Sequence, residues 1–378
     1  MKKIITVSLV FTVLFISLPA NALEGPPINA RSAILMEAET GKVLFEHNAD
    51  EQLPPASITK IMTMLLTMEA IDSGKITFDD KVCASERARE MGGSTIFLDA
   101  GEEMSVHDLL KGVAVASGND AAVALGEYIA GSEAAFIDMM NSRAAALSMN
   151  NTHFLNTNGL DADGHFSSAR DIAIMSRELL KHKKIFDFTT IWTDSLRGGK
   201  TELANTNKLI RFYRGANGLK TGSTSKALYC LSATAMRDDM QLIAVVMAAP
   251  TTKDRFDSAR ALLDFGFANY SVATAADKGL TVCKVPVEKG ITDTVDARCR
   301  ENFTVLVPKG RAGSVTSKLQ AAEKITAPVK MGDKLGKIEF FLDGKLLGET
   351  ELIAAHDVEK KGLGNIYYTI LRKWLTLK

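Results

Sequence analysis

The segment of residues 57–71 constrains the fold of this chain most, because it predicts a helix that is apolar on nearly every side. Apolar side chains recur there at helical spacing, at Ile58, Ile61, Met62, Leu65, Met68 and Ile71. Pro54 and Pro55 impose extended backbone before it, and Gly74 supplies a stop signal after it. A helix without a polar face must be surrounded by protein. We therefore expect it to lie at the centre of a domain.

The regions on either side of this helix indicate what surrounds it. Helical periodicity is found in residues 106–115, 120–130, 132–147, 168–180 and 253–267. Strand-like apolar runs occur at residues 32–37, 42–46, 227–235 and 240–248. Strands at both ends of a helical middle region predict an α+β fold, with an antiparallel sheet flanked by helices and a mostly helical second lobe. We assign this domain to residues 23–270.

The region beyond residue 270 has a different pattern. Helical periodicity fades, and short strand-like runs appear at residues 281–285, 303–307 and 338–342. Asp343-Gly344 is a strong hairpin signal after the last of these runs. The pattern predicts a small all-β domain over residues 271–358. Two domains also suit a chain of 378 residues, since single cores seldom grow beyond about 250–300 residues.

Residues 359–378 predict an amphipathic helix. One helical stripe is apolar and consists of Leu363, Ile366, Tyr367, Ile370, Leu371, Trp374 and Leu377. The opposite face carries Asn365, Thr369, Arg372, Lys373 and Thr376. A tryptophan beside basic residues is typical of helices that lie in a membrane surface, so we expect peripheral attachment to a membrane. A helix docked on the β-rich domain is the alternative, because the same stripe would serve that contact.

The first residues have the pattern of a secretory signal peptide. Two lysines precede an apolar run over residues 4–18, which is too short for a comfortable membrane span. Ala20 and Ala22 then form a small-x-small cleavage site. We assign residues 1–22 to a signal peptide and expect the protein to act at the outer face of the cell membrane. A retained N-terminal anchor is the alternative.

Composition excludes several classes of function. The 45 acidic and 45 basic residues balance, so the total charge gives no reason to expect a nucleic acid partner. The histidines and cysteines lack the spacings of metal ligands, and we expect neither metal nor cofactor. Cys230 lies in an apolar run and is predicted to be a buried thiol. For Cys283 and Cys299, a disulfide and two free thiols both remain open.

A serine and a lysine three residues apart, Ser57 and Lys60, open the central helix. One helical turn would bring the amine beside the hydroxyl, where it could act as the base that a serine nucleophile needs. Burial and the positive charge of Lys220 would favour the neutral amine. The alternative is that Ser57 only caps the helix. Ser223 and Lys226 have the same spacing, but they do not open a helix.

Two further polar motifs lie at predicted junctions. Ser117-Gly118-Asn119 separates two helical segments, where Ser117 could bond Lys60 and relay its proton while the Asn119 amide orients the lysine. Lys220-Thr221-Gly222 precedes a predicted hairpin, where a glycine would let a substrate approach the strand edge. Each motif alone has a plain structural alternative, as a helix cap or a turn. Their order along one chain favours acyl transfer.

Together these motifs resemble those of the serine D-alanyl-D-alanine carboxypeptidases, the low-molecular-mass penicillin-binding proteins. The similarity extends over essentially the whole sequence, including residues 116–121, 151–154, 159–164 and 167–171. The resemblance implies a fold like that of β-lactamases and transpeptidases. It also implies two ligands, namely peptidoglycan stem peptides that end in D-Ala-D-Ala, and β-lactam antibiotics.

The resemblance implies a role for each motif residue. Ser57 would form the acyl-enzyme, Lys60 would be the general base, and Ser117 with Asn119 would complete proton transfer. The substrate would be held by Lys220, Thr221, Gly222 and Arg255, with the Arg255 guanidinium on the terminal carboxylate. The backbone N–H groups of Ser57 and Ser223 would form the oxyanion hole. Ser223 and Asn158 stand where many family members have histidine.

The sequence leaves three alternative functions open. A β-lactamase would share the nucleophile, but class A enzymes hold the deacylating water with a glutamate, and residues 150–175 contain none. An exported binding protein of the same fold, without catalysis, would be expected to carry degenerate motifs. An enzyme that cleaves peptide cross-links would differ only in the reach of its substrate site.

Overall fold

The fold is taken from a computed structural model, and the structure describes residues 25–362 and residue 364. The expected signal peptide and most of the expected C-terminal helix lie outside the described residues. The helices of the described part are α1 Lys60–Asp72, α2 Glu86–Arg89, α3 Val106–Lys111, α4 Asn119–Ala130, α5 Glu133–Ala146, α6 Ala169–Leu179, α7 Phe186–Thr189, α8 Leu209–Phe212 and α9 Thr252–Asn269. None of the helices between residues 25 and 362 is long and apolar enough to cross a bilayer.

The strands fall into two groups along the chain. The first group is β1 Ser32–Glu37, β2 Val43–His47, β3 Lys81–Cys83, β4 Glu103–Ser105, β5 Thr193–Leu196, β6 Thr201–Ala204, β7 Ala216–Thr224, β8 Leu228–Arg237 and β9 Met240–Ala249. The second group is β10 Tyr270–Ala276, β11 Thr281–Glu288, β12 Thr294–Cys299, β13 Phe303–Pro308, β14 Thr316–Ala321, β15 Ile325–Thr326, β16 Lys334–Leu342 and β17 Lys345–Ala354.

The first domain is organised around an antiparallel five-stranded sheet in the order β2-β1-β9-β8-β7. Side chains alternate between its two faces, as the pleat of a strand requires. Ile34 and Val245 pack towards the helical lobe, whereas Leu35 and Ala244 pack with residues of α9. This arrangement confirms the predicted α+β fold with an antiparallel sheet flanked by helices.

Helix α1 is the centre of this domain. Every residue from Lys60 to Met68 is buried, which explains why the segment lacks a polar face. The regular helix begins at Lys60, because residues Ala56–Thr59 form a 3₁₀ turn. No side chain caps α1, so the alternative that Ser57 is merely a helix cap is wrong.

The second group of strands forms a separate all-β core, as predicted. Six strands associate in the order β14-β16-β17-β12-β11-β15, and β10 pairs with β13. Val295, Phe340 and Leu352 are among the buried residues of this core. Cys283 and Cys299 are both free thiols, and the register pairs Cys283 with Ala297 rather than with Cys299.

Candidate active site

Ser57 lies in a tight turn that two glycines enclose. Residue Ala56, at the start of the 3₁₀ turn, has a positive φ of 48°. A β-carbon on Gly159 would lie 1.8 Å from the Ala56 carbonyl oxygen, and one on Gly222 would lie 2.9 Å from both Ser57 N and Pro55 O. Side chains at either glycine would displace the backbone of the turn. The position of the serine is therefore fixed by close backbone packing.

Lys60 brings its amine to this serine. The Lys60 side chain is fully buried, and Nζ lies 3.0 Å from Ser57 Oγ. The amine donates to Asn119 Oδ1 at 2.6 Å and to the Asn158 carbonyl oxygen at 2.8 Å. A neutral amine has two N–H groups and one lone pair. With both N–H groups bound by these oxygens, the lone pair is left to face Ser57 Oγ.

The surroundings of Lys60 favour this neutral form. Burial holds the pKa of Lys60 well below its usual value, and the charge of Lys220 lowers it further. Asp120 opposes the shift but does not cancel it. The amine can therefore accept a proton from the Ser57 hydroxyl at a pH where ordinary lysines are charged.

Ser117 reaches the site through an irregular stretch of backbone. Helix α3 continues into a π-helical turn, Gly112–Ala116, and Ser117 follows in the left-handed conformation with φ 65°. Such irregularities concentrate at functional sites. The expected hydrogen bond between Ser117 and Lys60 is not among the contacts of the amine, whose partners are Ser57, Asn119 and Asn158. Ser117 is nevertheless buried in this region, at 4% exposure.

Asn119, the first residue of α4, contacts Lys60 directly. Its Oδ1 accepts from the amine, while its Nδ2 donates to the Gly92 carbonyl at 2.6 Å. The Gly92 carbonyl can only accept, so this bond sets which end of the amide faces Lys60. The backbone N–H of Asn119 donates to Ser94 O at 2.7 Å.

The Lys220-Thr221-Gly222 motif lies on β7, the edge strand beside the serine turn. Lys220 is 1% exposed, and burial followed by the charge of Arg255 lowers its pKa to about 7. Its Nζ donates to the Thr221 carbonyl oxygen, and Thr221 Oγ1 donates to Thr206 Oγ1 at 2.6 Å. The missing side chain of Gly222 makes room for the serine turn of the protein itself. Ser223, the next residue, is exposed.

Arg255 approaches the same strand from α9. It is 7% exposed, and its Nη1 donates to the carbonyls of Gly222 and Cys230 at 3.3 and 3.4 Å. Its Nε has no hydrogen-bond partner among the described residues. A buried guanidinium that is bonded only to carbonyl oxygens retains an uncompensated charge, which suits it to an anionic ligand.

Sequence reasoning did not predict the contribution of Asn158. Its backbone carbonyl is a ligand of the Lys60 amine, while its side chain bonds Leu160 N and Met91 Sδ. The sequence signal that could have indicated a turn at this place is the Asn158-Gly159 pair, and Gly159 has a positive φ. The second serine-lysine pair is a surface feature, because Lys226 is exposed and paired with Asp163.

Comparisons with known proteins agree with this geometry. The family model described as D-alanyl-D-alanine carboxypeptidase matches residues 20–251, and the model of the penicillin-binding protein 5 C-terminal domain matches residues 270–360. D-alanyl-D-alanine carboxypeptidase DacF of Bacillus subtilis is 45% identical over 353 residues, which cover 92% of this chain and 91% of that protein.

Solved structures are similar as well. Penicillin-binding protein 5 from Haemophilus influenzae superimposes with a TM-score of 0.78 at 33% identity, covering 90% of this chain and all of the other. Penicillin-binding protein D2 from Listeria monocytogenes in its ampicillin-bound form has a TM-score of 0.58 at 33% identity, covering 64% of this chain and 98% of that one. The chain therefore belongs to the D-alanyl-D-alanine carboxypeptidase family and is a serine carboxypeptidase of that class.

Proposed function

We propose that Ser57 is the nucleophile that removes the terminal D-alanine from peptidoglycan pentapeptides. Ser57 Oγ attacks the carbonyl carbon of the penultimate D-alanine, and Lys60 takes the hydroxyl proton. The proton then passes to the leaving amine as the C–N bond breaks, and water hydrolyses the ester that remains on Ser57. The observation that carries this proposal is the 3.0 Å contact between Lys60 Nζ and Ser57 Oγ, with both amine hydrogens held elsewhere.

The neighbouring groups have complementary roles in this proposal. Ser117 relays the proton to the leaving amine, a role that its burial beside Asn119 supports, and its bond to Lys60 forms when substrate binds. The backbone N–H groups of Ser57 and Ser223 stabilise the oxyanion. The close approach of β7 to the serine turn supports this assignment.

Substrate binding is assigned to the edge strand and the cation beside it. Lys220 and Thr221 hold the peptide, Gly222 keeps the strand against the serine turn, and Arg255 pairs with the terminal carboxylate. The lack of any carboxylate bonded to Arg255 among residues 25–362 supports this role. A β-lactam presents a similar carboxylate, and we propose that it acylates Ser57.

The acyl-enzyme formed with a β-lactam should be hydrolysed slowly. The carboxylates in the loop after Asn158, Asp161 and Asp163, accept hydrogen bonds from Thr224 and Lys226 at the surface. Neither bonds Lys60 or Ser57. This distinguishes the proposed enzyme from a β-lactamase. Multiple rapid turnovers of a chromogenic cephalosporin would contradict the proposal.

The test of the nucleophile is the location of a covalent penicillin adduct. Purified protein is labelled with a fluorescent penicillin, digested, and the modified peptide is identified by mass spectrometry. We expect the adduct on Ser57 and none in Ser57→Ala, whereas Ser225→Ala, at an exposed serine between Ser223 and Lys226, should label as the wild type does. Equal labelling of Ser57→Ala would refute the proposal, and an unlabelled wild type would favour a non-catalytic binding protein.

We also propose that the enzyme is exported and attached to the membrane surface by residues 359–378, after a catalytic domain over 23–270 and a β-rich domain over 271–358. The support is the apolar stripe with basic flanks in that last segment. A chain that ends at Gly362 should move to the soluble fraction with its carboxypeptidase activity retained. Membrane association that survives this deletion would contradict attachment through residues 359–378.

A further inference from the structure

We propose that Asp120 is a positioning residue that holds Asn119 against Lys60 through the backbone of residues 92–98. We name this stretch the bracing segment. The inference rests on the proposed roles of Ser57 and Lys60. Asp120 follows Asn119 directly in the first turn of α4, yet its carboxylate is not bonded to any cation in the described part of the chain.

The Asp120 carboxylate instead accepts hydrogen bonds from backbone N–H groups of the bracing segment. It is 1% exposed and accepts from Ile96 N at 3.0 and 3.1 Å and from Leu98 N at 3.1 Å, as well as from Ala121 N at 2.8 Å. Phe97, between the two held residues, has a positive φ of 59°. Leaving a buried carboxylate without hydrogen-bond partners costs free energy of folding. These hydrogen bonds therefore hold the segment firmly in place.

Arg197 holds the same segment from the opposite side. Its guanidinium donates to the carbonyls of Ile96 at 2.9 Å and Phe97 at 3.0 Å, and a bidentate pair with Glu102 fixes its plane. Asp120 therefore binds the N–H groups of Ile96 and Leu98, and Arg197 binds the carbonyl groups of Ile96 and Phe97. Backbone held from both sides in this way has little freedom to shift.

The bracing segment in turn determines where Asn119 lies. Gly92 O and Ser94 O accept the side-chain and backbone N–H groups of Asn119 at 2.6 and 2.7 Å. The opposite end of the same amide accepts from Lys60 Nζ. A shift of the bracing segment would rotate or withdraw the amide. Lys60 would then lose one of the two acceptors that direct its lone pair to Ser57.

The experiment is a double-mutant cycle on the rate of Ser57 acylation. Asp120→Asn, Asn119→Ala and the double variant are compared with the wild type by the second-order rate constant for a fluorescent penicillin. We expect Asp120→Asn alone to lower the rate about 10- to 100-fold, as misplacement of a catalytic group does. In the Asn119→Ala background the same change should have almost no effect, because the amide that Asp120 positions is already absent.

Asp171→Asn is the matched control. Asp171 is also buried in the first turn of a helix and accepts from the backbone of Asn151, but it bonds neither Asn119 nor the bracing segment. We expect it to lower the melting temperature without changing the acylation rate. The proposal fails if Asp120→Asn keeps the wild-type rate, or if it loses the same factor in both backgrounds.

Should Asp120→Asn not fold, Arg197→Lys tests the same segment from the other side. A lysine keeps the charge but cannot hold both carbonyls and Glu102 with one planar group. We expect a lower acylation rate that again disappears in the Asn119→Ala background, whereas Arg143→Lys, which alters a bridge to Glu69 and Glu178, should leave the rate unchanged. A wild-type rate in Arg197→Lys overturns the inference. A wild type that is not acylated at Ser57 would instead refute the proposed function.

Discussion

Gly222 and Ser57 lie so close together that a methyl group on the glycine would be 2.9 Å from the backbone nitrogen of the serine. The same methyl group would lie 2.9 Å from Pro55 O. Ser57 N and Pro55 O are backbone atoms of a turn that Gly159 also contacts closely. Moving either atom would therefore cost free energy, because the whole turn would have to shift. Strand β7 and the proposed nucleophile Ser57 are therefore positioned against each other by this contact.

The first prediction is that Gly222→Ala lowers acylation much more than stability. The strand or the serine turn must shift to admit the methyl group, which should cost about 1–3 kcal/mol of stability and about 100-fold in acylation rate. Penicillin labelling kinetics and thermal unfolding measure the two effects. Gly313→Ala, where nothing lies within 4 Å of the added carbon, is the control. A wild-type acylation rate in Gly222→Ala would show that the contact does not position the serine.

The second prediction concerns the protonation of Lys60. Acylation should rise with pH as the amine loses its proton and should reach its plateau well below the usual pKa of lysine, because burial and Lys220 lower the pKa of Lys60. Lys60→Arg places a permanent cation there and supplies no base, so the rate should fall about 10²- to 10⁴-fold. Lys75→Arg, at another lysine that donates to a carbonyl, should behave as the wild type does. A rate that does not depend on pH from 5 to 10 would contradict the assignment of Lys60 as base.

The third prediction separates the backbone of residue 158 from its side chain. Asn158→His should acylate at nearly the wild-type rate, because the contact with Lys60 is made by the backbone carbonyl. Gly159→Ala should lose acylation almost completely, because its β-carbon would lie 1.8 Å from Ala56 O and its φ is 88°. Labelling kinetics of both variants decide this. A large loss in Asn158→His would mean that its side-chain bonds to Met91 and Leu160 are needed as well.

Sequence patterns predicted the fold well where a residue's environment follows from local periodicity. The segment around Ile61 and Leu65, which is apolar on nearly every side, indicated the central helix, and apolar strand-like runs indicated the sheet. The order of the three motifs indicated the contacts of Ser57, Lys60 and Asn119. These features could be predicted because each depends on residues a few positions apart, or on a set of side chains with a recognisable chemistry.

What sequence patterns did not predict are contacts made by the backbone of distant segments. The ligands of Lys60 include the carbonyl of Asn158, and those of Asn119 include the carbonyl of Gly92. A carbonyl group is present at every residue, so no residue type marks the one that is used. The predicted bond between Ser117 and Lys60 is not among the contacts of the amine, which lies against Ser57, Asn119 and Asn158, and its formation with bound substrate stays a prediction.

The last prediction is that the buried charge of Lys220 destabilises the protein. The folded-state pKa of Lys220 is about 7, whereas an unfolded lysine has a pKa of about 10.4. Between these two values the unfolded chain binds a proton that the folded chain does not, so the free energy of unfolding rises with pH across that window. Below pH 7 both states are protonated, and the full cost of the buried cation is present.

Lys220→Met should therefore raise the melting temperature at pH 6 and raise it much less at pH 10, while penicillin acylation falls sharply at both. Each kcal/mol gained corresponds to about 2–4 °C for a domain of this size. Lys208→Met, at an exposed lysine, should show neither the gain nor its pH dependence. A gain that is the same at pH 6 and pH 10 would mean that methionine improves packing only. A gain confined to low pH would mean that the buried charge of Lys220, and not the packing of its side chain, destabilises the fold.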